Sequence, residues 1–187
     1  MATRTLPPFS RSSWGPTEAT KAVGKSKHEF AERYETRKAF WGGLLEYARG
    51  KTRLHAGISP GRYGWIGTGA GRSGLAYNYV VWESESAAEL YIDRGKDSDA
   101  ENKAIFDRLH QKKAEIEQAF GGELEWQRLD AKRACRIRKV IDAGGWGDVS
   151  RWPNAYPPMV DAMVRLEAAL RPYIQRLGGE APAPGQL

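Results

Sequence analysis

The order in which hydrophobic periodicity changes along the chain narrows the fold more than any other feature. Apolar residues first fall at helical spacing, with Phe30, Tyr34, Trp41, Leu44, Leu45 and Ala48 on one stripe. Between residues 54 and 93 aromatic and β-branched runs take over, helical spacing returns from 98 to 120, strand character follows to 141, and a helical stripe closes the chain. Helix, strands, helix, strands, helix is not the strict alternation that a doubly wound parallel sheet requires. The expected class is α+β: a mainly antiparallel sheet of four to five strands with three main helices packed against it, on one face.

Punctuation residues set the expected boundaries. Ser26 and Glu29 form a capping box for the first helix, and Gly50 stops it. Gly42 and Gly43 inside that helix each cost about 1 kcal/mol relative to Ala, which predicts that another element approaches closely there. Strands are expected at Tyr63 to Gly67, Leu75 to Trp82 and Ala88 to Asp93, the last with Ala88, Leu90 and Ile92 on one face and Glu89, Tyr91 and Asp93 on the other. Ser98 and Glu101 open a second helix that ends at Gly121. Two more strands, Leu124 to Leu129 and Arg133 to Ile141, precede an irregular connection. Pro158 then starts a last helix, kinked at Pro172. Residues 1–25 read as a flexible basic arm, 26–177 as a single α+β domain, and 178–187 as a disordered tail.

Composition bounds the chemistry. The chain has 187 residues, 41% of them apolar, enough for one core without staples. Lys and Arg total 29 against 23 acidic residues, a formal charge of +6 that favours a polyanionic partner such as nucleic acid. The lone Cys135 can form neither an internal disulfide nor a multi-cysteine zinc site, so a reducing compartment is expected and the thiol is read as core. No run approaches the roughly 18 apolar residues of a membrane span, and the N-terminus lacks a signal peptide's apolar core. A cytoplasmic protein without a membrane partner, metal or cofactor is the expectation.

Three constellations could carry function. Gly69-Ala70-Gly71-Arg72-Ser73-Gly74 spells G-x-G-x-x-G, but a strand follows where a dinucleotide site needs a helix N-terminus. The segment reads as a hairpin loop, whose amides could hold a phosphate together with Arg62 and Arg72. Lys132, Arg133, Arg136, Arg138 and Lys139 lie within eight residues. Strand alternation puts Arg136 and Arg138 on one face and Arg133 and Lys139 on the other. Such a strand can pair with phosphates, or its cations can pair with acids such as Glu123 and Glu125. Glu89 and Asp93 share a face, as a Mg²⁺-dependent nuclease would need, but the acid-x-Lys spacing is absent: Tyr91 stands two positions after Glu89, and Lys96 is one place out of register. The histidines sit in no recognisable triad. Trp65, Trp82 and Trp126 are expected in the core, Trp146 and Trp152 in positions free to stack on a base.

One spaced string is more specific: Asn102-Lys103-Ala104-Ile105-Phe106-Asp107-Arg108-Leu109, then Lys113, Ile116-Glu117, Phe120-Gly121, Leu124, Trp126, Arg128-Leu129-Asp130, Arg133 and Arg136-Ile137. With Glu89 to Asp93 and Phe40-Trp41, it resembles a bacterial domain family of unknown function over roughly residues 36–175. Members of that family commonly stand C-terminal to nuclease-like domains, near restriction or other defence genes. The resemblance implies an accessory role near DNA and a nuclease-type protein partner. The reading that follows is a non-catalytic nucleic-acid-associated module contacting its ligand through Arg62, Arg72 and the Lys132 to Lys139 strand. The alternatives are a small Mg²⁺-dependent nuclease using Glu89 and Asp93, and a subunit that docks on a nuclease through the connection from Trp146 to Tyr156.

Overall fold

A computed structural model describes residues 18–177. The chain divides into two units, residues 1–33 and 34–187, and the described part of the first is helical from Glu18. Helix α1 spans Glu18–Arg49, so it begins eight residues before the Ser26 capping box. The rest of the expected N-terminal arm, and the tail from 178, lie outside the described residues.

The second unit builds strands β1 (Trp65–Gly69), β2 (Leu75–Val81) and β3 (Ser86–Ile92), helices α2 (Asp99–His110) and α3 (Lys113–Phe120), strands β4 (Glu125–Gln127) and β5 (Cys135–Ile141), and helix α4 (Trp152–Arg176). The five strands form one antiparallel sheet in the order β1-β2-β3-β5-β4. The expected α+β class and sheet are thus observed, with the second helix divided at Gln111 and Lys112. Gly121, in the left-handed conformation, ends α3. Ser98 does precede α2 but makes no capping bond, because its hydroxyl donates to the Lys96 carbonyl at 3.5 Å, and Glu101 pairs with Arg94 at 3.0 Å.

Side-chain alternation sorts the sheet into two unlike faces. One carries Tyr77, Tyr79, Leu90, Ile92, Cys135 and Ile137, all buried. Onto it α4 lays Met159, Met163, Leu166, Leu170 and Ile174, also buried. Helices α2 and α3 reach the same face through Trp126, which meets the Phe106 ring edge-on at 6.1 Å and donates its indole N–H to Glu117 at 3.0 Å. Cys135 is fully buried there, as expected of a cysteine that behaves as a small apolar residue. Helices α4 and α2 both make their sheet contacts on that side.

Helix α4 starts at Trp152 rather than Pro158, with a proline in its first turn and Pro157, Pro158 and Pro172 within its span. The expected irregular connection is correspondingly shorter, and its tryptophans are not free. The Trp152 ring packs edge-on against Phe40 at 5.5 Å and its N–H reaches the Trp146 carbonyl at 3.3 Å. Arg37 lies over the Trp146 ring at 5.0 Å. Trp65 departs from expectation in the other direction: it is 56% exposed, on an edge strand and on the face without helices.

Of the two helical glycines, Gly43 is the one approached closely. A Cβ there would stand 2.8 Å from the Tyr156 ring carbon that bears the hydroxyl, whereas at Gly42 the nearest neighbour is Pro60 at 4.0 Å. The two Gly→Ala variants should therefore move stability in opposite directions. Gly42→Ala should gain up to about 1 kcal/mol from helix propensity, and Gly43→Ala should lose about 1–3 kcal/mol by overpacking against α4. Urea unfolding midpoints of the two variants check this.

Candidate functional site: the open sheet face

The face of the sheet turned away from the helices is polar at its centre and made of small residues around it. Across the sheet run three rows set by the strand register: Trp65, Val80, Ala87 and Val140; Gly67, Asn78, Glu89, Arg138 and Glu125; Gly69, Ala76, Tyr91, Arg136 and Gln127. Alternation in β3 falls as the sequence predicts, with Glu89 and Tyr91 here and Leu90 on the core side.

Glu89 is the unusual member. It is only 4% exposed although no helix covers it, because Asn78, Arg136 and Arg138 surround it. One carboxylate oxygen accepts from the Asn78 amide at 3.3 Å. The other is buried without a hydrogen bond, and its cation, the Arg136 guanidinium, stands 3.9 Å away. The Asn78 amide oxygen is also unpartnered, in the space that Gly67 leaves by having no side chain. Burial pushes the Glu89 carboxyl above its ordinary value, opposed by Asn78 and then by Arg136 and Arg138.

The other site residues divide between this face and elsewhere. Arg136 donates to Gln127 at 2.6 Å. Arg138 donates to Glu125 at 2.8 Å and lies over the Trp82 ring at 5.5 Å. Arg133 precedes β5, so strand alternation does not govern it. Its guanidinium turns to Asp93, gripping both carboxylate oxygens at 2.7 Å, and holds that carboxyl below the usual range. Lys139 faces the helix side opposite Ala88, where its ammonium reaches the Glu123 carbonyl at 3.4 Å. Lys132 is exposed next to Arg133.

Arg72 is not among them. Its guanidinium crosses to the helix side and donates to the last-turn carbonyls of α4, to Ile174 at 2.8 Å and Gln175 at 3.4 Å. Arg62 is exposed in the connection before β1, at the edge of the sheet three strands from β5. Arg62 and Arg72 therefore form no continuous surface with the β5 arginines: two strands, β2 and β3, stand between Arg62 and β5, and the thickness of the sheet separates Arg72 from them. The hairpin itself is as expected: Gly69 ends β1, Leu75 opens β2, and Gly71 and Gly74 take φ of +83° and +79°, which glycine adopts without strain.

Glu89 and Asp93 are not brought together. They lie four residues apart on an extended chain, roughly 13 Å, and Asp93 is already occupied by Arg133. Among the described residues no three His, Cys, Asp or Glu side chains gather where they could hold a metal ion.

Sequence reasoning missed the joint that positions β5. The Lys103 ammonium, on α2, shares its three N–H donors among the carbonyls of Arg128, Leu129, Lys132 and Ala134 at 2.6 to 3.2 Å and lies 3.4 Å from the Cys135 sulfur. Its neighbour Asn102, fully buried, accepts from the Arg94 amide at 3.0 Å and donates to the Arg133 carbonyl at 3.3 Å. Asp107 completes the joint with a two-pronged grip on Arg128 at 2.9 and 3.1 Å. The spacing Asn102-Lys103 with Asp107 was the available signal, since those residues project from neighbouring turns of one helix.

Fold and site together define an α+β domain in which, among the described residues, helices α2 and α4 leave one polar sheet face clear. The chain belongs to the family described as Domain of unknown function (DUF4268), whose sequence profile matches residues 36–174. Neither the curated proteins nor the solved structures contain a match to it.

Two measurements check the site. Lys103→Met leaves several carbonyls without their donor and should cost about 3 kcal/mol in urea unfolding. Glu89→Gln keeps the contact to Asn78 and removes the buried charge. Because the Glu89 carboxyl holds its proton more tightly folded than unfolded, its contribution is most favourable below the ordinary value of 4.5 and is lost as pH rises. The variant should therefore melt above the parent protein at pH 7, and the difference should close as the pH falls towards 4.5.

Proposed function

We propose that this chain is a non-catalytic nucleic-acid-binding accessory module, and that its contact surface is the open sheet face. The observation that carries this reading is a helix-free antiparallel sheet with Tyr91, Arg136 and Arg138 near its centre and the exposed ring of Trp65 at its edge. Rings and guanidinium planes on an uncovered sheet are a platform on which unpaired bases can stack, with little dependence on sequence. Single-stranded DNA is the ligand this arrangement suits. Arg136 and Arg138 are held by Gln127, Glu89 and Glu125, so a phosphate must compete with those acceptors. The formal charge of +6 favours the encounter. The resemblance to modules found behind nuclease-like domains supplies the setting, an accessory to a nuclease-type partner in restriction or defence.

The nuclease alternative draws no support from the geometry, since Asp93 is fully engaged by Arg133. The docking alternative loses its exposed aromatic segment, since Trp146 and Trp152 pack into their own domain.

Fluorescence anisotropy with a labelled oligo-dT strand tests the proposal. Binding should be measurable at about 50 mM salt, and log K should fall by about 0.7 per phosphate contact against log salt. Replacing Arg136 and Arg138 together by Gln should lower that slope by about 1.4, and Trp65→Ala should weaken binding by about 1–3 kcal/mol. No binding at low salt, or an unchanged slope in the double variant, would reject the sheet face as a nucleic-acid surface.

A further inference from the structure

On the opposite side of the sheet, between the glycine hairpin and the C-terminal half of α4, lies a cavity of about 670 Å³. That is within the range of small-molecule sites. Its polar groups are ordered by depth. Innermost is the Tyr77 hydroxyl, on a side chain 2% exposed, buried and without any hydrogen-bond partner. Glu167 comes next, its side chain 15% exposed. Arg171, paired with Glu167 one helical turn on, stands at the mouth with 58% exposure. Arg72 and the backbone from Gly69 to Gly71 form the opposite rim.

Three features make this a prepared site rather than a packing fault. A buried hydroxyl without a partner costs about 1–3 kcal/mol and calls for an explanation. Tyr77 is held from behind, because His55, itself buried, hydrogen-bonds the Tyr77 carbonyl at 3.0 Å and packs on Tyr79 at 4.7 Å. Arg72 covers the last carbonyls of α4, and so screens the partial negative charge that a helix C-terminus would present to an anion. Beside it, Gly71 leaves its backbone bare, with no atom within 4 Å of where a Cβ would stand.

The gradient is acceptor and hydroxyl within, guanidinium and bare backbone without. A ligand that fits it carries N–H donors at one end and an anion at the other. Guanine offers two adjacent donors to a carboxylate and a carbonyl to a hydroxyl, whereas adenine offers a carboxylate only its exocyclic amine at that edge. Glu167 has lone pairs to spare beyond its bond to Arg171. We propose that this cavity binds a guanine nucleotide, with the base against Glu167 and Tyr77 and the phosphate between Arg171 and the glycine hairpin. This site is independent of the open sheet face.

Calorimetric titration of the full chain with guanosine monophosphate, adenosine monophosphate and inorganic phosphate tests it. The guanine nucleotide should bind at least about tenfold tighter than the adenine nucleotide, and phosphate alone more weakly than either. Tyr77→Phe removes only an unpartnered oxygen, so the melting temperature should hold or rise while affinity for the guanine nucleotide drops about tenfold. Glu167→Gln should erase the preference for guanine. The Arg136 and Arg138 double variant should bind the nucleotide as the parent does, which separates this site from the sheet face. No heat with the guanine nucleotide, equal affinity for both bases, or an unchanged affinity in Tyr77→Phe would overturn the proposal.

Discussion

The packing of α4 against one face of the antiparallel sheet is the contact on which the rest of the domain depends. Met163, Leu166 and Leu170 meet Tyr77, Leu90 and Ile137, and each such side chain contributes about 1.5–3 kcal/mol when removed from water. Because α2 and α4 gather on that side, neither of them covers the opposite face of the same five strands. A single asymmetric burial thus creates both the core and the open face. It also fixes the register, since a slip of one residue in β3 would exchange Leu90 for Glu89.

A second, polar joint holds the far edge of the sheet. One ammonium on α2 gathers four carbonyls from the turn between β4 and β5, and Leu129 takes a φ of +54° within that turn. The turn carries Arg128, Lys132 and Arg133, so their positions follow from Lys103 as much as from their own strand. Of the residues that carry the family resemblance, Asn102, Lys103, Asp107 and Arg128 belong to this joint, and Glu117 and Trp126 bond to each other beside it. Their spacing in the chain is therefore explained by architecture.

Unmet polar groups mark the two sides of the sheet differently. On the open face, Glu89 and Asn78 are buried by neighbours on the same surface, over a floor that Gly67 keeps low. On the helix side, the Tyr77 hydroxyl is buried at the base of a cavity that no described residue fills. Tyr79, two residues along β2, is likewise unpartnered, and burial pushes the pKa of both phenols above the ordinary value, so both stay protonated. The strand that supplies the core thus also supplies the base of the cavity, so the site is as rigid as the sheet.

The sequence by itself determined the class of fold, the positions of the strands along the chain, the hairpin at Gly69 to Gly74, the alternation in β3 and the buried thiol of Cys135, while the order β1-β2-β3-β5-β4 came from the tertiary structure. These follow from local periodicity and turn chemistry, which act between residues near one another in the chain. It did not determine where charged side chains end. Arg72 reaches α4 some hundred residues away, Arg133 turns to Asp93, and Glu167 meets the cavity beneath Tyr77. Long flexible cations settle on whatever acceptors the tertiary fold brings within reach, so their grouping is decided by the packing of distant elements. For the same reason Trp65, core-like by composition, is exposed: only the assembled sheet decided which of its faces the helices would cover.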